Sequence, residues 1–235
     1  MARRYEDVVR ELIDAVVGGE YAEGVWLPRE AELRERLGVS RGVLRDALLT
    51  LELRGLVRVY AGRGQVVCQR EEWDTRDADV LVACIERGPD PGVAEQAVWA
   101  RAAIEREAAA HAAIHALAAD FDLLAARVAE MQQALAPDAE RGVDRDDPLI
   151  AAETWFHRTL ALLSGNPVLA KLVEPLHLPL AELRRARAPD RDRAVVLHHR
   201  RILEGVSSRD PELAESAVSG YARQLARWLA PRRRY

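Results

Sequence analysis

The chain has 235 residues, of which 49% are apolar and 31% charged, and a formal net charge of −4. That length accommodates two ordinary domains, and the apolar fraction supports a packed core and excludes global disorder. The negative balance excludes a uniformly basic nucleic-acid protein, so any such role must rest on a local patch.

From the N-terminus, Tyr5 to Val17 carries apolar residues at Val8, Val9, Leu12, Ile13, Val16 and Val17, the stripe of an amphipathic helix that Gly18-Gly19 ends. The opening residues lack the apolar stretch of a secretory signal, and no apolar run approaches the roughly 20 residues of a membrane span. A cytoplasmic protein with no membrane partner is expected. Arg29 to Leu37 reads as a second, short helix, with Ala31, Leu33 and Leu37 as its buried positions and Gly38 as its stop. Ser40 suits the N-cap of a third helix that runs to about Arg54. Two β-prone runs, Leu56 to Tyr60 and Gln65 to Val67, flank the turn Ala61-Gly62-Arg63-Gly64, a hairpin pattern. Cys68 and Cys84 have neither CxxC spacing nor a disulfide framework and read as small apolar residues.

Beyond about residue 76 the chain reads as helix throughout, in segments near 77–87, 92–116, 118–135, 148–164, 167–185, 190–208 and 211–229. Pro175 and Pro179 are expected to kink or split one of them. The acidic stretch from Pro137 to Pro148 reads as a loop. In Ser164-Gly165-Asn166-Pro167, Gly165 ends one helix, Asn166 caps the next and Pro167 takes its first position. Trp155 and Trp228 are read as packing residues. The fold class is therefore mainly α: an N-terminal winged helix-turn-helix (1–70), a linker (71–78), an all-α helical bundle (79–230) and a basic tail (231–235).

The turn Leu37-Gly38-Val39-Ser40 joins two short helices in the manner of a helix-turn-helix. In the third helix Val43, Leu44, Ala47, Leu48 and Leu51 share the inner face, while Arg41, Gly42 and Arg45 lie outward near the N-terminus. A helix N-terminus carries positive partial charge, so two arginines there oppose the dipole unless they meet phosphates and base edges. Residues 40–70 hold six arginines (41, 45, 54, 58, 63 and 70) against Asp46 and Glu52, a local balance of +4. Arg63, between two glycines at the hairpin tip, is placed to reach a groove edge or a phosphate.

With these motifs, Leu27-Pro28-Arg29-Glu30-Ala31-Glu32-Leu33, Leu37 to Leu48, Gly55-Leu56-Val57 and Gly62-Arg63-Gly64 resemble the GntR family of bacterial transcription regulators. The resemblance implies that Arg29, Ser40, Arg41, Gly42, Val43, Arg45, Gly62 and Arg63 face DNA. Ala31 stands where the family commonly has Arg, so one backbone contact is either lost or supplied by Arg29 instead. In the second half, Trp99 to Glu105, Glu153-Thr154-Trp155-Phe156-His157 and His198 to Leu203 resemble the FCD ligand-binding domain of the FadR-like subgroup.

Glu153 and His157, four residues apart, project from one helix face, and with His199 they can share a divalent metal such as Zn, Ni or Mn. The family usually has Asp at the position of Glu153 and a further His at that of Tyr221. A phenol is a poor neutral-pH ligand, so the set is either a three-ligand variant or a polar pocket. His198 is the alternative ligand to His199. Arg101 is either paired with Glu105 at i+4 or free to bind an effector carboxylate through a bidentate fork; the resemblance favours the latter. Arg101, Glu153, His157, His199 and Tyr221 are therefore the candidate effector residues. The implied protein is no enzyme but a homodimeric regulator of a palindromic double-stranded operator, controlled by a small organic acid. A metal-dependent enzyme with an accessory winged domain, or a metal-sensing regulator, is the alternative. No GxSxG, HExxH or phosphate-binding glycine loop supports an enzyme.

Overall fold

The computed structural model describes residues 5–136 and 147–230. Most of the acidic 137–148 stretch and the basic tail 231–235 read from the sequence lie outside the described residues. Backbone contacts divide the chain into two compact units, Met1–Pro91 and Gly92–Tyr235.

The first unit contains α1 (Tyr5–Val17), α2 (Glu30–Leu37), α3 (Arg41–Leu53), the strands β1 (Val57–Tyr60) and β2 (Gly64–Val67), and α4 (Ala78–Glu86). The α1 stripe buries all six expected residues, against α3 and α4. Gly38 adopts φ 65°, where its N–H reaches the Arg34 and Glu35 carbonyls and closes α2. Two residues later the Ser40 hydroxyl accepts from the Val43 N–H at 3.3 Å and opens α3. The tight turn of the helix-turn-helix is thus built from one left-handed glycine and one N-cap. Ala31, expected inside, is exposed, and α2 is anchored by Leu33 and Leu37 alone.

β1 and β2 pair antiparallel in the register Val57↔Val67 to Tyr60↔Gly64. The segment before α2 adds a partial third strand: Leu27 donates to the Gln65 carbonyl at 2.9 Å, Val67 donates to that of Val25 at 3.0 Å, and Trp26 pairs with Val66.

Helix α4 packs on α1, so it groups with the first unit, whereas a boundary at residue 79 would place it in the helical bundle. Both its ends are tied. Arg54, at the C-terminus of α3, contacts Asp77 at 2.9 Å and Asp79 at 3.1 Å. Arg87 contacts Asp14 of α1 at 2.9 Å. The expected linker at 71–78 includes a short 3-10 turn, Arg70–Glu72, and the buried Trp73, whose indole N–H donates to the Cys68 carbonyl at 3.3 Å.

The second unit contains α5 (Val93–His115), α6 (Ala118–Gln133), α7 (Pro148–Leu163), α8 (Pro167–Arg187), α9 (Asp192–Ser207) and α10 (Pro211–Leu229). Helix α5 is central and packs against α7, α8, α9 and α10. Its buried face is mostly alanine: Ala94, Ala97, Ala102, Ala108, Ala109, Ala112 and Ala113. Small side chains bring the surrounding helices close to its axis. At Gly205 of α9 an added Cβ would lie 2.6 Å from the Ala214 backbone of α10, so these two helices touch main chain to main chain. Pro175 and Pro179 do not split α8, which runs unbroken past both. The Gly165 stop and the Asn166 cap form as expected, with Asn166 Oδ1 accepting from Val168 at 3.0 Å and Leu169 at 3.3 Å. Trp155, expected to pack, is 48% exposed beneath the Arg158 guanidinium. Among the described residues no helix is long and apolar enough to cross a membrane.

Candidate functional site

Two groups of side chains stand out, one in each unit. On the first unit Arg29, Ser40, Arg41, Gly42, Arg45, Gly62 and Arg63 are all exposed, while Val43 is half-buried. The inner α3 residues Leu44, Ala47, Leu48 and Leu51 are buried, so Arg41 and Arg45 are forced outward by the helical period. Ion pairing then sorts the local arginines. Arg54 is spent on Asp77 and Asp79, Arg58 on Glu72, and Arg70 on Glu23. Among the described residues Arg41, Arg45 and Arg63 have no carboxylate partner within 4 Å, which leaves their charge available to an external anion.

In the second unit five helices converge on a buried polar cluster. Helix α5 contributes Arg101 and Glu105; α7, Glu153 and His157; α8, His177 and Arg184; α9, Asp192 and His199; and α10, Tyr221. All nine are buried. Charged groups reach such a position only when paired and hydrogen-bonded. Glu153 is served by Arg184, through Nε at 3.0 Å and Nη2 at 2.9 Å, and by the Tyr221 hydroxyl. Arg184 also donates to Asp192 at 2.8 Å. Burial pushes the Glu153 carboxyl up, but Arg184, His199 and Tyr221 override it and hold it at about 2. Burial and the adjacent Glu153 carboxylate raise the Tyr221 phenol well above its ordinary value, so it is a hydrogen-bond donor.

The histidines form a chain. His199 Nδ1 lies 2.8 Å from the Val195 carbonyl, which can only accept, so Nδ1 carries the proton. Burial, with His157 beside it, pushes His199 down to about 3. Its Nε2 is therefore a bare lone pair, facing His157 Nε2 at 3.1 Å. His157 Nδ1 lies 2.8 Å from Glu105 Oε1, and His177 Nε2 lies 3.1 Å from the same oxygen. Burial opposes ionisation of Glu105, yet His157 and Arg101 hold it well below the usual carboxylate range. With a carboxylate at Nδ1, His157 presents Nε2 toward the His199 lone pair. An electrophile, either a proton or a cation, belongs between those two nitrogens.

A metal fits this place in part. Ligand atoms of Glu153, His157 and His199 all lie within 4.8 Å of one another. Each histidine has its other nitrogen held by a carbonyl or a carboxylate, the arrangement that orients metal-binding imidazoles. Glu153, however, already has both oxygens engaged. His198 takes no part: it packs against the Tyr221 and Trp228 rings.

Arg101 takes up the first of its two alternatives, the pairing with Glu105. Its Nε sits 3.6 Å from Glu105 Oε2, and its guanidinium lies 5.6 Å from the Tyr221 ring centroid. Its Nη1 is buried with no hydrogen-bond partner among the described residues. Of the nine, Glu105 was read only as a partner of Arg101, and His177, Arg184 and Asp192 were missed. The signal for two of them was available: Val173, His177, Leu180 and Arg184 recur at helical spacing and mark one buried stripe of α8.

Comparison with known proteins follows the same division. The FCD domain family matches residues 96–224, more than half of the chain, and "Bacterial regulatory proteins, gntR family" matches residues 4–67. The galactonate operon transcriptional repressor of Escherichia coli K12 is 28% identical over 218 residues, covering 90% of each chain. The HTH-type transcriptional repressor NanR of Citrobacter rodentium is 29% identical over 234 residues, 96% of this chain and 85% of that one. Among solved structures, Lar of Listeria monocytogenes shares the fold with a TM-score of 0.67 at 20% identity, over 97% of both chains. McbR/YncC of E. coli does so with a TM-score of 0.54 at 18% identity, over 97% of this chain and 98% of that one.

Proposed function

The chain belongs to the gntR family of bacterial regulatory proteins, with an FCD domain as its second part, and on that premise we propose that it is a DNA-binding repressor whose operator affinity responds to a small hydroxy acid bound at the Arg101 cluster. The observation that carries the effector class is the buried Arg101 Nη1, which has no hydrogen-bond partner among the described residues. A buried guanidinium N–H left unpaired is costly, and a carboxylate is the group that matches its fork. The Glu153, His157 and His199 donors beside it suit hydroxyl groups, or a divalent cation (Zn, Ni or Mn) that would in turn hold the acid's oxygens. Such a cation would supply a Lewis-acid anchor for the ligand. Glu105 would orient His157, the Val195 carbonyl would orient His199, and Tyr221 would hold Glu153 in place.

One relative is named for the galactonate operon, which favours sugar acids among the hydroxy acids. DNA is read by Arg29, Ser40, Arg41, Gly42, Val43, Arg45, Gly62 and Arg63. The protein works in the cytoplasm as a homodimer on a palindromic operator, since two half-sites double the contacts of one short recognition helix. Effector binding favours one dimer geometry over another and so changes the recognition-helix spacing. The regulator reading is preferred to a metal-dependent enzyme because both curated relatives compared above are named as transcriptional repressors.

The test is fluorescence anisotropy at fixed salt, using a duplex selected by the protein from a random 20-base-pair library. Galactonate and related aldonates, with and without Zn²⁺, are the titrants. A fall in duplex affinity with the acid in the wild type, absent in Arg101→Met, supports the reading. Tight duplex binding that no acid alters would overturn it, and a response to Zn²⁺ alone would make the protein a metal sensor.

A further inference from the structure

The wing tip carries an arrangement that the helix-turn-helix does not explain. Trp26 is 40% exposed and Tyr60 is 40% exposed, although both are large aromatics outside any core. Their rings lie 5.5 Å apart, centroid to centroid. The Arg63 guanidinium sits 5.0 Å from the Trp26 ring centroid, and the indole also lies 3.8 Å from where a Cβ on Gly64 would stand. Trp26 cannot drift from this position. Its neighbours Leu27 and Val25 are hydrogen-bonded to Gln65 and Val67 of β2 on either side of the Trp26–Val66 pair. The turn above it is closed by the Arg63 N–H donating to the Tyr60 carbonyl at 2.9 Å.

A side chain on a three-residue turn has several rotatable bonds, and ordering it on binding costs conformational entropy. A guanidinium resting on a fixed indole face has already lost part of that freedom. Arg63 is also one of the arginines without a carboxylate partner among the described residues. We infer that Trp26 is a positioning residue for DNA recognition: with Tyr60 it forms an aromatic shelf that holds Arg63 in its DNA-contacting direction. The inference rests on the DNA-binding reading and adds a residue to it that makes no DNA contact of its own.

The full-length chain is assayed on the duplex selected with the wild type, by anisotropy, with Trp26→Ala, Trp26→Phe, Arg63→Ala and the double variant Trp26→Ala/Arg63→Ala. An exposed cation–π contact corresponds to roughly a two- to fivefold change in affinity. Trp26→Ala should weaken binding by about that factor, Trp26→Phe by less, and the double variant no more than Arg63→Ala alone. In protein labelled with 5-fluorotryptophan, the ¹⁹F resonance that Trp26→Phe removes should shift when duplex is added to the wild type. That shift should be lost in Arg63→Ala, a readout that overall stability does not move. Equal losses from Trp26→Ala in both backgrounds would overturn the inference, because Trp26 would then touch DNA itself. Unchanged binding in Trp26→Ala would overturn it as well. If the wild type selects no duplex, the DNA-binding reading fails first, and the two failures are told apart.

Discussion

Arg184 of α8 grips Glu153 of α7 with two nitrogens, Nε at 3.0 Å and Nη2 at 2.9 Å, in a position where both side chains are fully buried. The same guanidinium donates to Asp192 at the start of α9. One guanidinium thus bridges two carboxylates and joins three helices, while Arg185 brings Asp192 a second cation at 3.2 Å. Removing it strands negative charge in the interior, which costs far more than the intact pair contributes. Arg184→Met is expected to lower the unfolding free energy by about 3–5 kcal/mol, measured by urea titration followed by circular dichroism. Adding Glu153→Gln to that variant should recover part of the loss. A variant as stable as wild type would mean that Arg184 is not the neutralising group.

The imidazole chain predicts how the protein handles a divalent cation. In protein stripped with a chelator, Zn²⁺ or Ni²⁺ titrated by calorimetry should bind with His157 and His199 as ligands. His199→Ala should abolish the binding. Glu105→Gln, which leaves all three candidate ligands in place, should weaken it about 10–100-fold, the usual effect of removing an outer-shell carboxylate. The chelated wild type should melt at a lower temperature than the loaded protein. If His199→Ala and wild type bind alike, the cluster is a polar pocket only.

Arg45 projects from α3 with no carboxylate partner among the described residues, opposite the buried Leu44, Ala47 and Leu48. Arg45→Ala should weaken duplex binding by about 1–3 kcal/mol if the guanidinium reads a base edge. Sugar-acid binding, followed by calorimetry on the same variant, should be unchanged. Simultaneous loss of both activities would show that the two units do not act separately.

Helix α4 is fastened to the DNA-reading half at both ends, by Arg54 to Asp77 and Asp79 and by Arg87 to Asp14. It immediately precedes the Gly88-Pro89-Asp90-Pro91-Gly92 segment, where the two units divide. Any signal from the second unit along the chain therefore enters through α4 and meets α3 at Arg54. Arg54→Ala should leave duplex binding by the effector-free protein close to wild type. It should shrink the effector-induced change by about 0.5–2 kcal/mol, the range for residues along a coupling route. Anisotropy with and without the acid measures both; an undiminished response removes Arg54 from the route.

Much of this is legible in the sequence alone. The α1 stripe, the Gly38–Ser40 turn, the outward Arg41 and Arg45, and the Asn166 cap all follow from local rules in which the side chain's partner lies within four residues. The placing of Glu153 and His157 on one buried face of α7 was legible for the same reason. Arg184 was not, because it sits in the run Arg184-Arg185-Ala186-Arg187, which reads as a solvated helix end. Trp26 was equally silent, since its meaning depends on Arg63, 37 positions away. Ala31 was misplaced because a short helix with two strong anchors does not need a third.

The sequence by itself determined the class of the molecule: a winged helix-turn-helix with a local excess of arginine, followed by a helical domain with a histidine and carboxylate motif. Helical period, turn chemistry and charge counts are properties of neighbours along the chain, and they suffice for that. Only the tertiary structure decided which charges are spent. It paired Arg54, Arg58 and Arg70 and left Arg41, Arg45 and Arg63 exposed, without carboxylate partners among the described residues. It set Arg184 against Glu153 and left one nitrogen of Arg101 buried without a partner among the described residues. Whether a charge is satisfied or available depends on groups brought together from distant helices, and burial makes that difference worth several kcal/mol.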